Sequence, residues 1–254
     1  MFTTTLKSTS TGGALALLLA VCVLSGSAIA GPISYGDFSD IPPGSVEYLD
    51  VTEDSGTDDP PLYNEPDISG NLLDFDTSGF VSTASGGPLD ITDGQLNFTV
   101  TPVAGLGLSS LVFTEGGDFT FVGTGGVGTT VRASLIVSID ILEVNGVTLP
   151  SPISIDEIDV FSTDQATSGV GAGFWSNTVL VEFGTVLGPN QLVTRADVAI
   201  DNQLVTNSEE DSLAFIAKKD FAVTPGEDPT PFVPEPNSIA LLLLSTGIFV
   251  VRRS

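Results

Sequence analysis

Between residues 131 and 141 six apolar side chains, Val131, Ala133, Leu135, Val137, Ile139 and Ile141, alternate with Arg132, Ser134, Ser138 and Asp140. A two-residue period sets the apolar side chains on one face of an extended strand and the polar ones on the other, which no helix can do. The same period recurs at Leu96, Phe98 and Val100, at Val179, Val181 and Phe183, at Leu192, Ala196, Val198 and Ile200, and at Leu213, Phe215 and Ala217. Residues 31–232 carry no long stretch with apolar side chains at three-and-four spacing, so the pattern predicts strands and almost no helix. In residues 153–161 the apolar phase moves from odd positions (Ile153, Ile155) to even ones (Ile158, Val160), which predicts a β-bulge. Glu115-Gly116-Gly117-Asp118 predicts a hairpin turn, residues 123–130 a second turn, and Asn145-Gly146 a third, because both residues tolerate positive φ. Short strands rich in Val, Ile, Phe and Thr between such turns predict an all-β fold, an antiparallel sandwich of jelly-roll-like form. A parallel α/β fold would need helices between its strands.

The two extremities read differently from the middle. Lys7 precedes an apolar run at 14–24, and Ala28-Ile29-Ala30 supplies the small residues that a signal peptidase accepts, with cleavage before Gly31. Eleven residues of helix cover about 16 Å, half a bilayer core, so this is the pattern of a removable leader and not of a lasting span. Residues 31–223 are expected to form the sandwich domain. Residues 50–66, rich in acid and proline, are expected to form a solvated loop, and the proline-rich residues 224–232 an extended linker.

Composition narrows the chemistry. The single cysteine, Cys22, lies in the leader, and the chain has no histidine, so Ser-His-Asp and Cys-His catalysis and imidazole or thiolate metal sites are excluded from the mature domain. Residues 31–131 hold 16 acidic side chains and no basic one. Such a surface repels phosphate backbones and excludes nucleic acid as a partner, while attracting hard cations. Calcium is therefore a candidate ligand at Asp50, Glu53, Asp54, Asp58 and Asp59, although their spacing is not that of an EF-hand loop. Asp156, Glu157 and Asp159 are the candidate carboxylates for glycoside chemistry, which needs two such groups flanking the bond. Phe174-Trp175 follows a glycine-rich stretch and offers aromatic faces on which a sugar ring can stack, the alternative being an aromatic plug inside the sandwich. Lys218-Lys219 either meets an acidic glycan or offsets Glu209, Glu210 and Asp211.

Near the C-terminus, Pro234-Glu235-Pro236 is followed by an apolar run at 239–251 and by Arg252-Arg253. This order of three elements resembles the PEP-CTERM sorting signal. The resemblance covers about 22 residues and implies recognition of Pro234, Glu235 and Pro236 by an exosortase, a membrane-embedded cysteine protease-transpeptidase, in bacteria that make exopolysaccharide. The physics is compatible: two prolines keep the motif extended, and an arginine pair is retained on the cytoplasmic side of a short transmembrane helix. The expected protein passes the Sec translocon and signal peptidase, inserts transiently by its tail, and ends at the cell surface or outside the cell. There it is expected to be a structural or glycan-contacting component in a polysaccharide-rich envelope. A secreted, carboxylate-dependent glycan-active enzyme is the alternative.

Overall fold

The computed structural model describes residues 31–228. The predicted leader, with Ala28 and Ala30, and the sorting tail, with Pro234, Glu235, Pro236, Arg252 and Arg253, lie outside the described residues.

Twelve antiparallel strands make up almost all of this region. The first five are β1 (Ile33–Ser39), β2 (Val46–Asp54), β3 (Asp67–Ser69), β4 (Leu72–Phe75) and β5 (Val81–Ser85). The long ones follow: β6 (Leu89–Pro102), β7 (Gly107–Gly123), β8 (Thr130–Val144) and β9 (Val147–Asp164), then β10 (Gly171–Glu182), β11 (Val193–Asn207) and β12 (Ser212–Asp228). Helix is confined to the single turn α1 (Gln165–Ser168) and a 3-10 turn at Phe183–Thr185.

Hydrogen bonding divides the strands into two halves. One half runs β1-β2-β6-β11-β8-β9. The other runs β10-β7-β12, with β5 and the β4–β3 pair on the far side of β12. The backbone ladders join at one pair, Val193 of β11 with Leu108 of β7, and side chains bridge the halves at β5, where the Thr92 hydroxyl of β6 donates to the Val81 carbonyl. On the opposite side the outermost strands of the two halves, β9 and β10, are stitched by a side chain: Asp159 Oδ2 accepts from the Thr178 N–H at 2.9 Å. The result is a sandwich-like sheet folded nearly into a barrel. Its interior is lined by the inward rows of β7 (Leu111, Phe113, Phe121), of β8 (from Val131 to Ile141) and of β11 (Ala196, Val198, Ile200).

The β8 alternation is realised in full, since all six apolar residues are buried. Asn145 and Gly146 take φ of 52° and 74° between Val144 and Val147, a two-residue type I′ turn closing the β8–β9 hairpin. Two expectations about local structure are corrected. There is no bulge in residues 153–161, because the β8–β9 register is unbroken from Ile141↔Ile153 to Thr130↔Asp164. Ile158 and Val160 simply face solvent, while Glu157 and Asp159 keep the phase of Ile153 at the seam beside β10. Glu115-Gly116-Gly117-Asp118 is not a turn but the middle of β7, paired on both sides with β10 and β12. A Cβ on Gly117 would run into the Ala217 carbonyl oxygen and lie 2.9 Å from Trp175 Nε1, so glycine is there for close approach.

The irregularity lies in the partner strand. The β12 register slips between Lys218 and Asp220, leaving Lys219 as the extra residue. Before the slip Ala214, Ile216 and Lys218 are buried; after it Phe221 and Val223 are. Leu213 and Phe215, expected on the core face, are therefore half-buried on the outer one. Two boundaries also differ from expectation. β2 extends through Asp54 into the expected acidic loop, and β12 runs on through the first residues of the expected linker, to Asp228↔Gly107.

One part of the core is polar. Lys218 and Glu115 are buried, with Nζ 2.6 Å from Oε2, and the ammonium lies 4.5 Å from the ring centroid of Phe80, 5.2 Å from that of Phe221 and 5.3 Å from that of Tyr63. Asn202 Nδ2 donates to the same Glu115 oxygen at 2.7 Å, and Asn177 Nδ2 donates to Oε1 at 2.9 Å. The Tyr63 hydroxyl donates to Asn202 Oδ1 at 2.6 Å. Glu53 is the second buried carboxylate, accepting from the Tyr35 hydroxyl at 2.5 Å and from the N–H groups of Leu62 and Tyr63. Buried charge is tolerated only when it is matched: Glu115 has polar partners on strands of both halves, while Lys218 has that one carboxylate and the three rings around it.

Candidate functional site

Phe174 and Trp175 are consecutive on β10, so they point to opposite faces. Trp175 is the buried one. Its Nε1–H donates to the Ala217 carbonyl at 3.1 Å and its ring stacks on Phe161 at 6.3 Å, which makes it the plug between β9 and β10 and not a binding platform. Phe174 is the reverse: 90% of its surface is exposed, on the outer face of a regular strand.

Register supplies its neighbours. Phe174 pairs with Asp118 of β7, and the next outward row runs Ala172, Thr120, Phe215 and Thr83 across β10, β7, β12 and β5. The Lys219 ammonium, on the extra residue of β12, lies 3.5 Å from Asp118 Oδ1. Phe174 and Phe215 are two strands and two residues apart, about 12 Å between Cα atoms from strand spacing and rise. This outer face thus offers two aromatic rings with a carboxylate, an ammonium and hydroxyls between and beside them. Such a surface can stack the C–H faces of a pyranose and exchange hydrogen bonds with its hydroxyls.

The outer face of the six-stranded half is different. Asp140 and Asp197 sit directly opposite one another on β8 and β11. Each is capped by a hydroxyl, Asp197 from Thr99 at 2.6 Å and Asp140 from Ser154 at 2.5 Å. With Asp50, Asn97 and Ser138 they line an open depression of ≈ 330 Å³. A second depression of ≈ 290 Å³ is lined by Asp54, Asp93 and Asp201. Burial, then the Asp93 charge, raises the Asp201 carboxyl above its ordinary range.

The five acids considered for calcium are dispersed. Glu53 turns into the core, Asp50 and Asp54 border the two separate depressions, and Asp58 accepts from the Thr57 hydroxyl. Asp59 belongs to neither depression. Among the described residues, no group of three or more acidic side chains is placed to hold a metal. Of the three carboxylates considered for glycoside chemistry, Asp156 accepts from the Ser138 hydroxyl at 2.7 Å and Asp159 closes the seam to Thr178. Glu157 is exposed on the same strand. Lys218 neither faces a ligand nor offsets residues 209–211, because burial draws it to Glu115.

Sequence reasoning missed Asp118, Thr120 and Phe215 as surface partners of Phe174, and marked Lys219 for glycan contact without placing it beside that ring. Asp118 was hidden in an apparent turn, and Phe215 in a run whose apolar side looked like core. A signal for the Phe174–Trp175 choice did exist. Carrying the Val181, Val179 phase back along the strand puts Trp175 inward and Phe174 outward.

No family model matches the chain, and no curated protein matches it. Among solved structures, a carbohydrate-binding module in complex with β-1,4-galactotriose is 13% identical over 63% of this chain and 73% of its own, with a TM-score of 0.22. The family 11 carbohydrate-binding module of Clostridium thermocellum, solved with a mixed-linked β-1,3-1,4 tetrasaccharide, is 13% identical over 78% of this chain and 97% of its own, at 0.18. The enzymatically active domain of a tailspike protein of bacteriophage CBA120 is 15% identical over 69% of this chain and 19% of its own, at 0.15. Superpositions this loose say nothing about what this chain binds.

Proposed function

We propose that the chain is an exported, non-catalytic β-sandwich protein that contacts extracellular polysaccharide through the outer face of β10, β7 and β12. In this reading the leader is removed before Gly31 after passage through the Sec translocon, and an exosortase-type protease handles the tail at Pro234-Glu235-Pro236. The long strands pass repeatedly between the two halves, apart from the β8–β9 hairpin, and we read this as jelly-roll-like winding. One observation carries the glycan reading: the Phe174 ring stands 90% exposed on a flat, regular strand, beside Asp118 and Lys219 and one row from Phe215. A large apolar ring held out in water by a rigid sheet has a use when something covers it.

Affinity electrophoresis of the full chain against a panel of neutral soluble glucans, galactans and mannans tests this. At least one is expected to retard the wild type, and F174A is expected to weaken that retention tenfold or more, about the loss given by truncating an aromatic anchor. The thermal midpoint should stay within about 2 °C, since an exposed ring contributes little to stability. Retardation by none of the panel, or equal retardation of wild type and F174A, overturns the assignment.

A further inference from the structure

Lys218, Glu115 and Asn202 meet in a way that an ion pair alone does not require. Lys218 Nζ and Asn202 Nδ2 approach the same carboxylate oxygen, Glu115 Oε2, at 2.6 and 2.7 Å, so the amine and the carboxamide are neighbours across one atom. Asn202 Oδ1 takes the Tyr63 hydroxyl at 2.6 Å, a donor placed where negative charge would grow if the amide carbon were attacked. Burial raises the Tyr63 hydroxyl well above its ordinary range, so it stays protonated and donating. The other Glu115 oxygen is fixed by Asn177 at 2.9 Å, which leaves Oε2 for proton traffic. All four groups are at most 4% exposed, and the rings of Phe80, Phe221 and Tyr63 enclose the amine.

We infer that Lys218 and Asn202 join spontaneously in an intramolecular amide cross-link, with Glu115 as the proton shuttle. The ammonium first gives a proton to Glu115 Oε2. The free amine attacks Asn202 Cγ, forming the Nζ–Cγ bond while Tyr63 supports the developing oxyanion on Oδ1. Glu115 passes its proton to Nδ2 and takes one from Nζ; the Cγ–Nδ2 bond breaks, and the ammonia released takes that last proton from Glu115 and leaves as ammonium. In net terms an ammonium and a carboxamide become an amide and an ammonium ion, and Glu115 ends as the carboxylate it began as. No oxidant, cofactor or water is consumed. The direction of the Lys218 shift supports this route, because burial lowers its pKa against the opposing pull of Glu115 and so makes the free amine accessible. Asn202 is the electrophile and Asn177 is not, because Asn202 alone shares Oε2 with the amine and holds the tyrosine hydroxyl on its carbonyl. The bond would tie β11 to β12, one strand from each half. In residues 31–228, which contain no cysteine, it would do what a disulfide does elsewhere.

The test is peptide mass spectrometry of the folded full chain after denaturation and digestion. The expected product is a peptide containing Lys218 linked to one containing Asn202, with one ammonia missing from their summed mass and no free Lys218 peptide. E115Q, which keeps the volume and removes the shuttle, is expected to yield the two peptides separately at full mass. Separate peptides from the folded wild type overturn the inference, whatever the variant does. A link to Asn177 overturns the assignment of the electrophile.

Discussion

The interior around Glu115 and the outer face of the six-stranded half contain the same kinds of groups, carboxylates, carboxamides and hydroxyls, under opposite conditions. Inside, Glu115 is matched on both oxygens by Lys218, Asn202 and Asn177. Outside, Asp140 faces Asp197 directly across a strand pair, with only single hydroxyls to soften the repulsion. Solvent and salt screen the outer pair, so its like charges cost little, whereas an unmatched charge inside would cost several kcal/mol. The two regions therefore carry different selection on each atom. Interior groups are fixed by geometry and outer ones by sign alone.

Removing the interior match gives the largest expected effect. Lys218→Ala removes the group that meets Glu115 and, with it, the inferred link to Asn202, and should destabilise the fold by at least about 3–5 kcal/mol in urea unfolding, the cost of breaking a buried pair alone. A loss below about 1 kcal/mol would break the comparison, since the interior would then tolerate mismatch as the surface does. Gly117→Ala comes next. Its methyl group must displace the Ala217 carbonyl or the Trp175 indole, so a loss of about 1–3 kcal/mol is expected, and an unchanged urea midpoint would refute the tight approach of β7 to β12. The smallest effect sharpens the outer side. Asp201 has a carboxyl held above its ordinary range by burial and then by Asp93. A folded-state value above the unfolded one means that its stabilising share is complete below the unfolded pKa and is lost as pH rises through the folded one. The thermal midpoint should therefore rise as pH falls from neutral toward the ordinary carboxylate range, and D201N should flatten that rise. A midpoint that falls over the same interval would contradict it.

Several of the long strands were readable because each has one wet and one dry face, whereas the order in which they pair was not. Val131 to Ile141 announces its own phase, and Asn145-Gly146 its own turn. Legibility failed where a residue answers to another strand. Gly116-Gly117 looks like a turn locally and is there because Ala217 and Trp175 come close from either side. The slip at Lys219 has no local mark, since nothing in Lys218-Lys219 says that one lysine will be inside and the other in water. Glu115, Asn202 and Asn177 come from three separate strands, and no spacing along the chain brings them to one point. The Phe174 site was half legible: the right dipeptide was marked, and the ring that seemed the better platform is the buried one.

The last described strand is also a central one, and this bears on when the fold can exist at all. β5 pairs only with β12, β4 rests on it, and β7 has it along nearly its whole length. A polypeptide emerging N-terminus first, from ribosome or channel, thus has a missing centre until β12 is delivered. Glu115 waits uncovered, the rings of Tyr63 and Phe75 lack Phe221, and Phe80 lacks the Lys218 ammonium until then. Such wiring delays closure until β12 arrives and keeps the preceding strands threadable on the way.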